Sequence, residues 1–202
     1  MAENKNYVQA ASLYVCGTPI GNLDDMSFRA IQVLKEVDLI AAEDTRRTIK
    51  LLNHFQIKNR LESYHEHNEN EKAEKLLQLL QEGMAIALVS DAGMPGISDP
   101  GYKLIKKAIE NNIEVIPVPG PTAAISALVV SGLDTSRFVF EGFLERKGKS
   151  REEQLNKLKS EERTIILYES PYRVKETLKD LERVLGDRRI ALVRELTKVH
   201  EE

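Results

Sequence analysis

Two rhythms alternate along the chain. Short apolar runs are followed by longer stretches in which apolar residues recur every three or four positions. The first rhythm predicts buried strands and the second amphipathic helices. Strands are predicted over residues 12–17, 38–42, 60–65, 85–90 and 114–118. Between them fall helices over about 27–37, 45–55, 70–82 and 102–111. Ser27 is placed to cap the first helix, with Phe28, Ile31 and Leu34 on one face. In the second helix Ile49 and Leu52 point inward. The third carries Leu76, Leu77 and Leu80, a Glu71–Lys75 pair at i,i+4, and Gly83 at its C-terminal cap.

A second set of elements follows. Helices are predicted over 122–130, 151–161 (with Leu155 and Leu158 as a thin apolar stripe) and 171–185. Strands are predicted over 137–142, 164–168 and 189–194. Strand–helix alternation of this kind specifies βαβ units, hence an α/β fold with mainly parallel sheet. A boundary near residues 119–125 gives two α/β domains, 12–120 and 121–202, with a cleft between them. The last strand lies close to Glu202, so the second sheet reads as unfinished.

Glycine and proline sharpen this picture. Gly17, Pro19 and Gly21 follow the first strand; Gly93, Pro95, Gly96, Pro100 and Gly101 follow the fourth. Pro117, Pro119, Gly120 and Pro121 mark the end of the fifth. These account for six of the 11 glycines and six of the seven prolines. Open α/β sheets bind ligands at the C-terminal edge of their strands, where glycine admits close backbone approach and proline fixes loop shape. Three stiff loops at one edge therefore predict a ligand site. The loop at 17–21 is neither a P-loop nor Gly-x-Gly-x-x-Gly. Asp91, a lone carboxylate at a strand end, suits a cationic or hydroxyl-rich ligand and disfavours a polyphosphate; a nucleoside bearing a sulfonium is compatible with it.

Composition adds exclusions. The 202 residues carry 29 Lys+Arg and 32 Asp+Glu, a formal charge of −3, so any nucleic-acid contact must come from local basic patches. One cysteine, Cys16, rules out an intramolecular disulfide and a multi-cysteine zinc site. His65 and His67 share one strand face but lack a third ligand at a supporting spacing, so no metal is expected. No apolar run approaches the roughly 18 residues of a membrane span. The start, Met1 to Asn6, lacks the layout of a signal peptide, which predicts a cytoplasmic protein without membrane contact.

Six motifs occur in order: residues 13–23 (LYVCGTPIGNL), 42–46 (AEDTR), 89–101 (VSDAGMPGISDPG), 119–124 (PGPTAA), 168–173 (YESPYR) and 194–198 (RELTK). Together they closely resemble the tetrapyrrole (corrin/porphyrin) methylase superfamily, and within it the branch that methylates small-subunit ribosomal RNA. The resemblance runs from about residue 12 to residue 200. It implies two α/β domains of a non-Rossmann methyltransferase type, with S-adenosylmethionine in the cleft between them. It implies 2′-O-methylation of a cytidine ribose in the decoding region of 16S rRNA, on assembled small-subunit particles, by a homodimer. Members continue beyond the RELTK motif, so the second domain is expected to be truncated at its C-terminus, which puts the activity of this stretch in question.

The resemblance also distributes roles. Thr18, Pro19 and Ile20 line the cleft; Asp91, Gly93 and Met94 contact the methionine and ribose parts of the cofactor. Thr122 and Ala123, opening a helix, contact its carboxylate or ribose; Tyr168 and Val193 border the adenine. Thr122 reads equally as a plain N-cap and Tyr168 as a core aromatic. Transfer to a ribose hydroxyl calls for a proton acceptor. Glu43 and Asp44 are the first candidates, with a helix cap and its neighbouring acid as the competing reading, and Glu169 and Glu195 as alternatives. Arg46, Arg47, Lys147, Lys149, Arg151 and Arg173 are assigned to RNA phosphates; Arg173 could instead pair with Glu169. Two rival readings stand beside this one. The first is methylation of a tetrapyrrole, for which a chain without tryptophan offers no obvious macrocycle pocket. The second is a non-catalytic ribosome-binding module.

Overall fold

The structure is a computed structural model that describes residues 6–202. The reading of the N-terminal start concerns Met1 to Asn6, of which residues 1–5 lie outside the described residues. The described chain forms two compact units, Met1–Thr122 and Ala123–Glu202. Among the described residues no helix is long and apolar enough to cross a membrane.

The first unit holds strands β1 (Ser12–Cys16), β2 (Leu39–Ala42), β3 (Leu61–Ser63), β4 (Ile86–Val89) and β5 (Glu114–Val118). Its helices are α1 (Phe28–Glu36), α2 (Thr45–His54), α3 (Glu69–Gln81) and α4 (Tyr102–Glu110). The strands form one sheet in the order β3-β2-β4-β1-β5, and every pair in it is parallel. Side chains alternate across it. Leu13, Val15, Leu39, Ala41, Ile86 and Leu88 pack with Leu76 and Leu80 of α3 and Leu104 of α4. Tyr14, Cys16, Ile40, Ala42, Ala87 and Val89 pack with Val33 and Leu34 of α1 and Leu52 of α2 on the other face. Coverage on both faces explains why these strands read as continuous apolar runs.

Chain order places the ligand edge. From β1 the chain leaves through α1 on one face and returns at β2; from β4 it leaves through α4 on the opposite face and returns at β5. Because β1 and β4 are neighbours, the connections part between them, which is the switch point where open α/β sheets bind ligands.

The second unit contains α5 (Ala123–Val130), β6 (Phe138–Phe143), α6 (Lys149–Leu158), β7 (Thr164–Tyr168) and α7 (Val174–Leu185). Strands β6 and β7 pair in parallel, with a shift of register between Phe140 and Gly142. Leu144, Leu155 and Leu158 are its buried apolar core, with Ile165, Leu167 and Leu181 packed beside them.

Several local expectations need correction. Residues 189–194 are not a strand; Ile190 and Leu192 are exposed, and the second sheet has two strands rather than at least three. An apolar run supplies strand propensity, but a strand also needs a ladder partner. Phe28 is 91% exposed, because the inward face of α1 is set by Ala30, Val33 and Leu34. Ile49 is likewise exposed, and Thr48 takes its inward place. Lys75 does not pair with Glu71: with Lys72 it reaches Glu62 of β3, at 2.7 and 2.6 Å. That tertiary pair ties α3 to the sheet edge. Ser27 does cap α1, accepting from Ala30 N–H at 3.1 Å.

Candidate functional site

The three stiff loops of the first unit meet. Thr18, after β1, exchanges two backbone hydrogen bonds with Gly93, after β4, at 2.9 and 3.0 Å. The Thr18 hydroxyl donates to the Ser90 carbonyl at 3.1 Å. The loop after β5 closes on the same point: a Cβ built on Gly17 would stand 2.7 Å from Gly120 Cα and 2.7 Å from Met94 Sδ. Only glycine permits two backbones to come so close. Gly93 also adopts φ +83, a left-handed conformation that favours glycine. A pocket of about 180 Å³ opens beside this junction, lined by Thr18, Pro19, Leu23, Arg47, Ser90 and Asp91 among others.

A fourth loop, after β2, is braced against the β4 loop. Asp91 N–H donates to Glu43 Oε2, and Asp44 N–H donates to Asp91 Oδ1, both at 3.1 Å. Arg47 of α2 lies 3.1 Å from Asp91 Oδ2. Asp91 is thus not the lone carboxylate the sequence suggested; it joins two loops and carries an arginine. Asp44 is the N-cap of α2, accepting from the Arg46 N–H at 2.9 Å and from the Arg46 guanidinium at 3.1 and 2.8 Å. Those bonds from Arg46 hold its carboxyl down at about 2. So basicity is removed from one of the two acids first assigned to proton acceptance, and the capping reading is the one realised for Asp44.

The other acids behave differently. Burial raises Glu43 above the usual carboxylate range; the charges of Asp91 and Asp44 push the same way, and the Asp91 N–H and Arg47 oppose it. Asp99, on the loop from β4 to α4, is pushed up to about 6 by burial and then by the charges of Glu43 and Asp91, against a hydrogen bond from Ser90. The sequence reading passed over Asp99. Its setting, Ser98-Asp99-Pro100-Gly101, is ordinary turn chemistry, and nothing local marks it. Glu43, Asp91 and Asp99 beside one paired arginine form a donor set that fits a cationic ligand and not a polyphosphate.

The remaining assigned residues sit as follows. Pro19, Gly93 and Met94 belong to the junction just described. Thr122 directly precedes α5, which Ala123 opens. Tyr168 ends β7, its ring against Phe140 and Phe143 at centroid distances of 5.1 and 5.5 Å. Val193 lies in the non-strand stretch after α7. Arg146, Lys147 and Lys149 are exposed, Lys149 near Glu153 of its own helix at 3.5 Å. The structure corrects the assignment of Arg151 to an RNA phosphate. It is buried in the second unit, donating to Asp180 (3.0 Å), the Glu145 carbonyl (2.8 Å) and Thr177 (3.0 Å). A guanidinium buried and bonded in this way is structural, and burial keeps it from a phosphate on the surface. Arg46 is exposed but bound to Asp44. Arg173 pairs with Glu169 at 2.7 Å, and Glu195 with Lys198 at 3.1 Å. His65 and His67 lie with ring centroids 6.0 Å apart, and among the described residues no group of three or more His, Cys, Asp or Glu could hold a metal. Cys16 is buried, which pushes its thiol up to about 12 and leaves it unreactive.

Comparison with known proteins bears on what this site serves. The family model Tetrapyrrole (Corrin/Porphyrin) Methylases matches residues 12–202. A protein named Ribosomal RNA small subunit methyltransferase I from Halalkalibacterium halodurans is 56% identical over 191 residues, covering 95% of this chain and 66% of that protein. The protein of the same name from Synechocystis sp. is 59% identical, covering 94% of this chain and 68% of that protein. The one from Thermotoga maritima is 52% identical, covering 94% and 85%. The chain thus spans about two thirds of the length of the first two of these relatives. Among solved structures, a cobalamin biosynthetic enzyme, cobalt precorrin-4 methyltransferase, superposes with a TM-score of 0.67 at 17% identity, covering 95% of this chain and 83% of that one. At that identity the likeness establishes the fold.

Proposed function

The chain belongs to the tetrapyrrole (corrin/porphyrin) methylase family, and from that premise we propose that it takes part in methylating ribosomal RNA of the small subunit. The finer reading is S-adenosylmethionine-dependent 2′-O-methylation of a cytidine ribose in the decoding region of 16S rRNA. It acts on small-subunit particles in the cytoplasm, as a homodimer. The observation that carries the reading is the junction of the loops after β1, β4 and β5 at the switch point of the sheet, beside carboxylates that suit a cation. Relatives at 50–59% identity, all bearing the name of a small-subunit ribosomal RNA methyltransferase, support the substrate class.

S-adenosylmethionine supplies an already activated methyl group on a sulfonium. The residues of the chain need only bind, align and accept a proton; alignment of this kind contributes roughly 7–11 kcal/mol to such reactions. Pro19, Asp91, Gly93 and Met94 hold the methionine and ribose end of the cofactor. Thr122, Ala123, Tyr168 and Val193 serve its carboxylate, ribose and adenine. The Thr18–Gly93 bridge fixes the two loops that face the reacting hydroxyl. Arg46, Arg47, Lys147, Lys149 and Arg173 contact RNA phosphates, which position the substrate without reading its sequence.

The test is transfer of a labelled methyl group from S-adenosylmethionine by the whole protein. Undermethylated small subunits should be labelled, and nuclease digestion should release 2′-O-methylcytidine. Label on free tetrapyrroles and never on subunits would move the assignment to the small-molecule branch. Absence of cofactor binding by calorimetry would leave a ribosome-binding module.

A further inference from the structure

We propose that the pocket beside the loop junction seats a single unstacked nucleotide of the RNA, with Lys50 on a phosphate; the proposal deepens the substrate reading above and rests on it. The pocket, about 180 Å³, is built from two stretches of the first unit. Pro19 and Leu23 come from the connection between β1 and α1; Arg47, Thr48, Lys50 and Leu51 come from the first two turns of α2. Helices α1 and α2 cover the same face of the sheet, and each follows a parallel strand. Both therefore begin at the edge where the loops meet.

Size limits the occupant. Sites that enclose a whole drug-sized ligand measure about 300–1,000 Å³. This one is smaller, so it does not enclose a complete nucleoside cofactor or a macrocycle. It is several times the roughly 30 Å³ share of one water, which suits a single ring.

Chemistry narrows the choice further. Pro19, Leu23 and Leu51 offer apolar surface to the face of a ring. The neutral hydroxyls of the lining are spent inside the protein: Thr18 donates to the Ser90 carbonyl at 3.1 Å, and Thr48 to the Asp44 carbonyl at 3.2 Å. The cations are more available. Lys50 is exposed and has no ion pair among the described residues. Arg47 reaches Asp91 through Nη1, yet its side chain is 69% exposed. Single-stranded RNA calls for this combination, because its unstacked bases are gripped by their faces while cations hold the phosphates. The lining also says where the occupant stands. Pro19 and Asp91 are assigned above to the cofactor, whereas Leu23, Lys50 and Leu51 have no part in holding it. A slot that shares a wall with the methyl donor brings the ribose of its occupant to the donor.

Two variants of the whole protein test this. Leu23→Trp fills the slot, and Lys50→Ala removes the cation. Both positions are exposed, so melting should stay near wild type. S-adenosylmethionine affinity by calorimetry should be unchanged in both. Leu23→Trp should raise KM for undermethylated small subunits by at least about tenfold, with a smaller effect on kcat. Lys50→Ala should weaken binding of single-stranded oligocytidylate and lower the slope of log affinity against log salt by about 0.7. Subunit KM and oligocytidylate binding within about twofold of wild type in both variants overturn the proposal. So does a loss of cofactor affinity that matches the loss of RNA affinity, which would give the pocket to the cofactor. If wild type labels no subunits, the substrate reading fails; the oligocytidylate measurements then decide the pocket by themselves, and a wild type that does not bind the oligonucleotide overturns the proposal as well.

Discussion

The two units use the same βα grammar to different ends. In the first, β2 and β4 are buried along their whole length, with helices on both faces. In the second, every residue of β7 is half-buried, and a buried arginine, Arg151, braces α6 against α7 through Asp180 and Thr177. A sheet covered on both sides gives the loops at its edge a rigid base, and placement within fractions of an ångström depends on such support. A sheet held by half-buried side chains and a polar network tolerates more change. The sharpest way to break this contrast is a matched pair of truncations. Leu88→Ala on β4 should cost about 2–5 kcal/mol, and Leu167→Ala on β7 less than about 2 kcal/mol. Chemical denaturation checks both; equal losses would mean that exposure does not separate the units.

A smaller effect tests the junction itself. Gly120→Ala would set a Cβ 2.8 Å from Gly17 Cα and 2.9 Å from its carbonyl, backbone against backbone, with no flexible side chain to yield. The expected cost is about 1–3 kcal/mol, from overpacking. The strain should be local. Amide exchange of Thr18 and Gly93, whose bonds span the β1 and β4 loops, should quicken, while amides of β7 stay as they are. Unchanged exchange at Thr18 would show that the loops are held independently and would weaken the single-rim reading of the site.

How much of this was legible beforehand follows the same division. Strands β5 and β7 begin and end where the apolar runs do, because a short apolar run between turn residues has few other uses. The convergence of Gly17, Gly93 and Gly120 was visible as loops following parallel strands, since topology sends all such loops to one edge. What failed needed tertiary information. Residues 189–194 have strand composition, but pairing is decided by a neighbour. Phe28 is apolar, but one residue of phase turns it outward. Arg151 lies in a run of basic residues, and only the packing of α6 on α7 shows that it is an internal strut. Asp99 was hidden because serine, aspartate, proline and glycine in succession need no explanation beyond a turn. Its raised pKa comes from burial and from neighbours that the fold supplies, among them Glu43, more than 50 positions away in sequence.

The smallest expected effect concerns how helices begin. In the first unit α1 and α2 have side-chain caps, Ser27 accepting from Ala30 N–H at 3.1 Å and Asp44 from Arg46 N–H at 2.9 Å, while α3 and α4 have none. In the second, α6 and α7 begin at Gly148 and Arg173 with no side-chain cap bond. A cap satisfies one of the amides that a helix start leaves without an intrahelical acceptor. Ser27→Ala should therefore cost about 1 kcal/mol. Lys149→Ala, at the uncapped and exposed start of α6, should stay within about 0.5 kcal/mol of wild type. Thermal melts of the two variants make the comparison. If Lys149→Ala proves as costly as Ser27→Ala, then the weak i,i+4 contact with Glu153 is stabilising α6 in place of a cap, and the second unit is more tightly specified than its burial suggests.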